Sequence, residues 1–167
     1  MSNKPTYKVK LRRRRKGFTD YKKRLALLKS KQPRLVVRKR NKSIIVQIVN
    51  YEPQGDKTLI TFSSIALKKL GWKGHCGNLP SAYLSGYACA KKAFKAGIKK
   101  AVLDIGVASP VHGSAVFTAL MGALDAGLEI PLEKEVLPTI ERASGKHIGE
   151  ETAKNFAQVK DKIDKEF

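Results

Sequence analysis

Apolar residues cluster in short runs through the first half of this chain's middle, and recur at helical spacing on either side of them. Residues 20–30 place Tyr21, Leu25 and Leu28 at i, i+4 and i+7, one helical face. Thr19 is the expected N-cap and Pro33 the stop. Three runs rich in β-branched residues follow, at 34–40, 43–51 and 57–63. Asn41-Lys42 and Pro53-Gln54-Gly55-Asp56 separate them, so the pattern predicts an antiparallel three-stranded meander. In the second run Ile44, Val46 and Ile48 share one face, and Ile45, Gln47, Val49 and Tyr51 the other. Both are largely apolar, which predicts a sheet covered on both sides.

The character then changes. Residues 64–70 read as a short helix and 71–77 as a glycine-rich loop. Asn78 can cap a long helix to residue 96, with Pro80 tolerated in its first turn and Gly97 as its stop. Leu79, Tyr83, Tyr87, Ala90 and Phe94 form its apolar stripe, and Lys91, Lys92, Lys95, Lys99 and Lys100 load its end, where the helix dipole favours cations. Residues 101–105 read as a short buried strand. Residues 114–126 read as a helix with Val116, Phe117, Leu120, Met121 and Leu124 inward, and 128–130 as a last strand stopped by Pro131. Phe156, Val159, Ile163 and Phe167 predict a helix over about 150–165. Strands alternating with helices after residue 57 are the pattern of parallel crossovers. The expected fold class is therefore α/β, a mixed sheet of about five strands (antiparallel meander plus parallel crossover strands) with packed helices. Three regions are expected: a basic arm over 1–17, an α/β domain over 18–135 and a helical C-terminal extension over 136–167.

Charge changes this picture most. The first forty-two residues hold eighteen of the thirty-four Lys and Arg against one acid, Asp20, a formal excess of +17 in a chain of +20. Such a field opposes compaction unless something anionic neutralises it, and a basic arm beside a globular body is a nucleic-acid footprint. Residues 1–17 offer only Tyr7, Val9 and Leu11 as sizeable apolar groups, so the arm is expected to be disordered until bound. No run of eighteen apolar residues exists, so no membrane span is expected. The basic start is not followed by an apolar stretch, so no secretory signal is expected. Cys76 and Cys89 have no metal-ligand spacing and read as reduced structural thiols of a cytoplasmic protein.

The run Arg12-Arg13-Arg14-Arg15-Lys16 is either a phosphate-contacting segment or a solvated charge run. Tyr7, Phe18 and Tyr21 interleave with Lys8, Lys10, Lys22, Lys23 and Arg24, and aromatic stacking on unpaired bases suits RNA. For Tyr21, packing of its own helix is the alternative. Arg34, Arg38 and Arg40 fall to one side of the first strand, as a charged edge or as a basic surface laid on RNA. The glycine-rich loop lacks a nucleotide-binding pattern, Trp72 reads as packing, and His75-Cys76 has no further ligands at metal spacing. His112 and Ser114 have no orienting partner for nucleophilic chemistry. Carboxylates in the body are sparse, at Glu52, Asp56, Asp104 and Asp125, and a metal-dependent nuclease would want three or four that converge. Asp104 is the acid to watch for such chemistry, or else it caps a backbone amide. No cofactor, metal or small-molecule substrate is expected. An RNA-processing nuclease and a chromatin-type DNA binder are the other readings.

The blocks YKVKLRRRRKGFTDYKKRLALLKS, PRLVVRKRNKSIIVQIV, GWKGHCGNLPSAYLSGYACAKKAFKAGIKKAVLDIG and GSAVFTALMGALDAGLEIP resemble the large-subunit ribosomal protein that binds 5S rRNA, the "L eighteen" family in its archaeal form. The resemblance covers residue 4 to about residue 150. It implies a ribonuclease H-like arrangement without that enzyme's acids. It also implies a non-enzymatic place in the central protuberance of the large subunit, on 5S rRNA and near large-subunit rRNA and neighbouring ribosomal proteins. By matching segments it carries rRNA contacts onto Lys8–Lys16, Tyr21–Arg24, and Arg34, Arg38 and Arg40.

Overall fold

Ile44, Val46 and Ile48 are wholly buried on one face of the central strand, because a long helix lies across that face. The computed structural model describes residues 5–167, so residues 1–4 of the predicted arm lie outside it. Two short helices open the described chain, α1 (Arg12–Arg15) and α2 (Tyr21–Leu28). Strands β1 (Arg34–Lys39), β2 (Ile44–Asn50) and β3 (Lys57–Ser63) form the meander, and a 3-10 turn follows at Ser64–Lys68. Then come α3 (Leu79–Lys95), β4 (Val102–Asp104), α4 (Ala115–Asp125), a 3-10 turn at Lys134–Val136, α5 (Ile140–Ser144) and α6 (Glu150–Glu166).

The sheet has four strands in the order β3-β2-β1-β4. β1–β2 and β2–β3 are antiparallel, and β4 joins β1 in parallel with Arg34 opposite Val102 and Val36 opposite Asp104. The chain therefore crosses from one sheet edge to the other through α3. The predicted fifth strand is reduced to a single parallel bridge, Lys100 to Glu129. Two backbone hydrogen bonds flank it, Ala101 N to the Glu129 carbonyl and Glu129 N to the Lys99 carbonyl, before Pro131 ends the run without an N–H to donate.

Helix α3 is buried from Pro80 to Ala90 on every side, not along a single stripe, and Phe94 at its end is 40% exposed. The reason is that neighbours enclose it: the sheet, the 3-10 turn after β3, α4, α5 and α6. Gly86 and Gly122 allow the α3–α4 approach, since a Cβ at Gly86 would collide with the Ala119 carbonyl and one at Gly122 with the Tyr83 carbonyl. Val159 and Ile163 of α6 are fully buried, each such side chain contributing about 1.5–3 kcal/mol. Burial pushes the Cys89 thiol, under the sheet, up to about 12.

A polar seam holds α6 beside α3. The Tyr87 hydroxyl donates to Asp164 at 2.7 Å, and Lys91 pairs with the same carboxylate at 2.8 Å. Tyr83 donates to Asp125, and its hydroxyl accepts from Lys160 at 3.1 Å. Burial first, then the Asp125 contact, pushes the Tyr83 phenol well above its ordinary range.

The second sheet face is incompletely covered, contrary to the expectation from β2. Val36 and Val49 are buried there, but Ile45 and Gln47 are half-buried, Tyr51 is exposed, and β3 is exposed over most of its length. α2 buries none of its residues, and Leu25 of its predicted stripe is 61% exposed. Its N-cap is Asp20, not Thr19: the carboxylate accepts from the amides of Lys22 and Lys23, a stronger partner for a helix N-terminus than a hydroxyl.

Candidate nucleic-acid interface

Residues 5–18 are exposed throughout. One helical turn forms at Arg12–Arg15, with no acid in it and no buried residue. The Arg13 Nε donates to the Thr19 hydroxyl at 2.8 Å. Among the described residues, Lys8, Lys10, Arg12, Arg14, Arg15 and Lys16 form no ion pair and no side-chain hydrogen bond. Tyr7 and Phe18 stand exposed among them. This is a polycationic surface with its charge uncommitted and its aromatic rings open.

Beyond the arm, the predicted site divides. Lys22, Lys23 and Arg40 are exposed, and Tyr21 is half-buried. Arg40 lies just past the end of β1, in the turn closed by its N–H to the Ser43 carbonyl. Arg24, Arg34 and Arg38 are occupied inside the protein. Arg24 grips Asp56 with two bonds of 2.7 Å. Arg34 reaches Asp56 at 2.6 Å and Asp104 at 2.7 Å. Arg38 meets Asp104 at 2.9 Å and donates to the carbonyls of Asp104 and Val37. The result is a chain of alternating charge, Arg24–Asp56–Arg34–Asp104–Arg38, that joins α2, the β2–β3 loop, β1 and β4.

That chain corrects the reading of Arg34 as an RNA contact. Three cations on one strand side need anionic partners or solvent, and two aspartates supply the partners. Arg34 is 2% exposed and out of reach of a phosphate, with its Nε buried and unpaired among the described residues. Arg38 differs, because its side chain is 41% exposed and only part of its guanidinium is engaged. The Arg24 contact is the largest influence on Asp56 and, with Arg34, holds its carboxyl below the usual range against the opposing effect of burial. The same contact raises Arg24.

Asp56 and Asp104 are thus the organising residues that sequence reasoning missed. Asp56 read as a turn former, and Asp104 as either a metal-chemistry candidate or the cap of a backbone amide. Asp104 does cap a backbone amide, accepting from Gly106 N at 2.8 Å. The available signal was scarcity: residues 43–128 hold only four acids to serve a strand side with three arginines. Among the described residues no three His, Cys, Asp or Glu side chains gather as a metal site. Trp72 of the glycine-rich loop is 3% exposed and serves packing. The His75 ring accepts from Gly77 N within the same loop.

The geometry is that of an α/β body whose basic N-terminal segment reaches outward and is tied down at α2. The model of the family described as ribosomal large subunit proteins 60S L5, and 50S L18, matches residues 5–99, which run from the arm through the meander to the end of α3. That is more than half of the 167 residues, and it takes in the described part of the exposed cationic segment together with α2 and the three-stranded meander. The chain belongs to this family of large-subunit ribosomal proteins.

Proposed function

We propose that the chain is a structural, non-enzymatic constituent that binds 5S rRNA and helps attach it to large-subunit rRNA in the central protuberance. Family membership makes it an rRNA-binding protein of the large subunit of the cytoplasmic ribosome, working in translation. The finer reading rests on one observation above the others: the arm's cations are exposed and unpaired among the described residues, while the arginines of α2 and β1 have acids of their own. The proposed contacts are therefore Tyr7, Lys8, Lys10, Arg12–Arg15, Lys16 and Phe18, extended by Tyr21, Lys22, Lys23 and Arg40, with the exposed edge of Arg38 beside them. Cation–phosphate contacts supply affinity, and stacking of Tyr7 and Phe18 on unpaired bases adds about 1–3 kcal/mol each.

The test is a binding titration against 5S rRNA from about 50 to 200 mM salt, with duplex DNA and an unrelated RNA of similar length as competitors. Neutralising about five to eight phosphates lowers affinity by orders of magnitude over that range. A flat salt dependence, or equal affinity for the competitors, overturns the reading.

A further inference from the structure

We infer that the body carries a second RNA-binding surface, independent of the arm. It is a band of lysines from the segment after β3 and the end of α6, and it takes the phosphate backbone of an RNA other than the one the arm holds. This rests on the reading above for the arm's partner, and it extends that reading to where the second RNA is gripped.

Lys68 closes the 3-10 turn after β3, and Lys69 and Lys73 follow it; all three are exposed. The loop that carries them is fixed from both sides. Trp72 is sunk into the core beneath it. From α6, the Asn155 amide clamps the backbone: its oxygen accepts from Lys73 N at 3.1 Å and its nitrogen donates to the Gly71 carbonyl at 3.1 Å. Lys162 donates to the Leu70 carbonyl at 3.0 Å. These bonds hold the loop lysines beside Lys162 and Lys165, and Lys69, Leu70, Lys162, Lys165 and Glu166 line an open groove of about 330 Å³. The end of α3 adds two more. Lys95 donates to the Glu166 carbonyl, and Lys92 lies 4.4 Å from the Phe167 ring centre and 5.2 Å from that of Phe62.

Among the described residues none of these seven lysines forms an ion pair. The carboxylates of α6 in the neighbourhood are Asp161 and Glu166, both exposed, and Asp164, which Lys91 and Tyr87 already hold. Cations at the C-terminal ends of α3 and α6 favour the helix dipoles, which accounts for Lys92, Lys95 and Lys165. It does not account for Lys69 and Lys73 in a loop. A net positive, rigidly mounted groove fits an anionic backbone. It also belongs to the helix-covered side of the sheet, whereas Arg24, Asp56 and Arg34 belong to the other face. One copy of the protein can therefore hold two RNA segments at once.

The test uses the full chain bound to immobilised 5S rRNA and measures capture of large-subunit rRNA. One variant carries Lys68→Gln, Lys69→Gln and Lys73→Gln, side chains with no hydrogen bond to lose among the described residues. A second carries Lys162→Gln and Lys165→Gln. In both, affinity for 5S rRNA stays within about twofold, capture of large-subunit rRNA falls about tenfold, and the salt slope of capture falls by about two. Unchanged capture by the first variant, with an unchanged thermal melt, overturns the inference and leaves the band to an acidic protein or to solvent. So does a wild-type complex that captures no second RNA. If the wild-type protein does not bind 5S rRNA, the arm's reading fails separately. The same variants are then compared as free proteins on large-subunit rRNA, where equal binding again overturns the lysine band.

Discussion

The Arg34 guanidinium and the Asp104 carboxylate, seventy positions apart in the chain, meet at 2.7 Å between neighbouring parallel strands, with both side chains more than nine-tenths buried. Removing one member of a buried pair leaves the other uncompensated, at a cost of about 3–5 kcal/mol. Asp56 still faces Arg34, so Asp104→Ala is predicted to cost about 3 kcal/mol, the low end of that range. For a chain of this length that is a fall of about 6–12 °C in Tm, read by calorimetry. Adding Arg34→Met to the same variant removes the stranded charge and recovers part of the loss. A loss below about 1 kcal/mol would show that Asp56 alone satisfies Arg34.

Acid should loosen α2 before it unfolds the body. Contact with Arg24 and Arg34 depresses the Asp56 carboxyl in the folded protein. Its contribution is therefore present above the unfolded aspartate value of about 3.9 and is lost as pH falls through the lower folded value. Stability measured by denaturant titration between about pH 6 and pH 3 should fall more steeply in the wild type than in Asp56→Asn. Equal slopes would mean that the pair contributes nothing to stability.

Much of the meander was legible because β-branched runs and turn residues punctuate it sharply. β2 shows this best, with Ile44, Val46 and Ile48 buried as their alternation demands. The parallel crossover was also visible, in the order of strands and helices after residue 57. What stayed hidden was tertiary. No local pattern tells that Arg34 turns inward to Asp104, or that α3 is enclosed on all sides. The direction of a charged side chain is set by a partner seventy residues away, and burial of α3 by helices that the periodicity of α3 itself cannot reveal. Leu25 failed in the opposite sense: its spacing suits a buried face, yet nothing in the body comes close enough to cover it.

The α3–α4 crossing gives a sharp packing test. Alanine favours a helix interior over glycine by about 1 kcal/mol, so Gly86→Ala would stabilise an isolated helix. Here the new methyl meets the backbone carbonyl of Ala119, which cannot rotate away. The helices must separate, and the predicted outcome is a net loss of about 2 kcal/mol or more. Gly97→Ala serves as the reference, since its Cβ would meet nothing within 4 Å although its backbone φ of +77° brings strain of its own. Gly86→Ala at wild-type Tm would refute the close contact.

For the arm, replacing Arg12–Arg15 with Gln should leave the thermal melt within about 0.5 kcal/mol of wild type, as for exposed positions elsewhere. The four side chains are exposed and, among the described residues, make a single side-chain hydrogen bond, from Arg13 to Thr19. Affinity for 5S rRNA should fall at least tenfold, and the slope of log affinity against log salt should drop by about three. An unchanged slope in a filter-binding titration would move the phosphate contacts elsewhere on the surface.

The acids that neutralise Arg34 both follow it in the chain, and that has a consequence in time. Synthesis runs from the N-terminus at about 5–20 residues per second. When residue 42 has been made, residues 1–42 hold eighteen cations and Asp20 as their lone anion. Asp56 comes soon afterwards, but Asp104 follows only about 3–12 s behind residue 42 at those rates. Until Asp104 arrives Arg38 lacks the carboxylate that engages it, and Arg34 has Asp56 alone of its two partners. Closure of β4 against β1 is thus the event that completes the pairing of Arg34 and brings Arg38 its carboxylate.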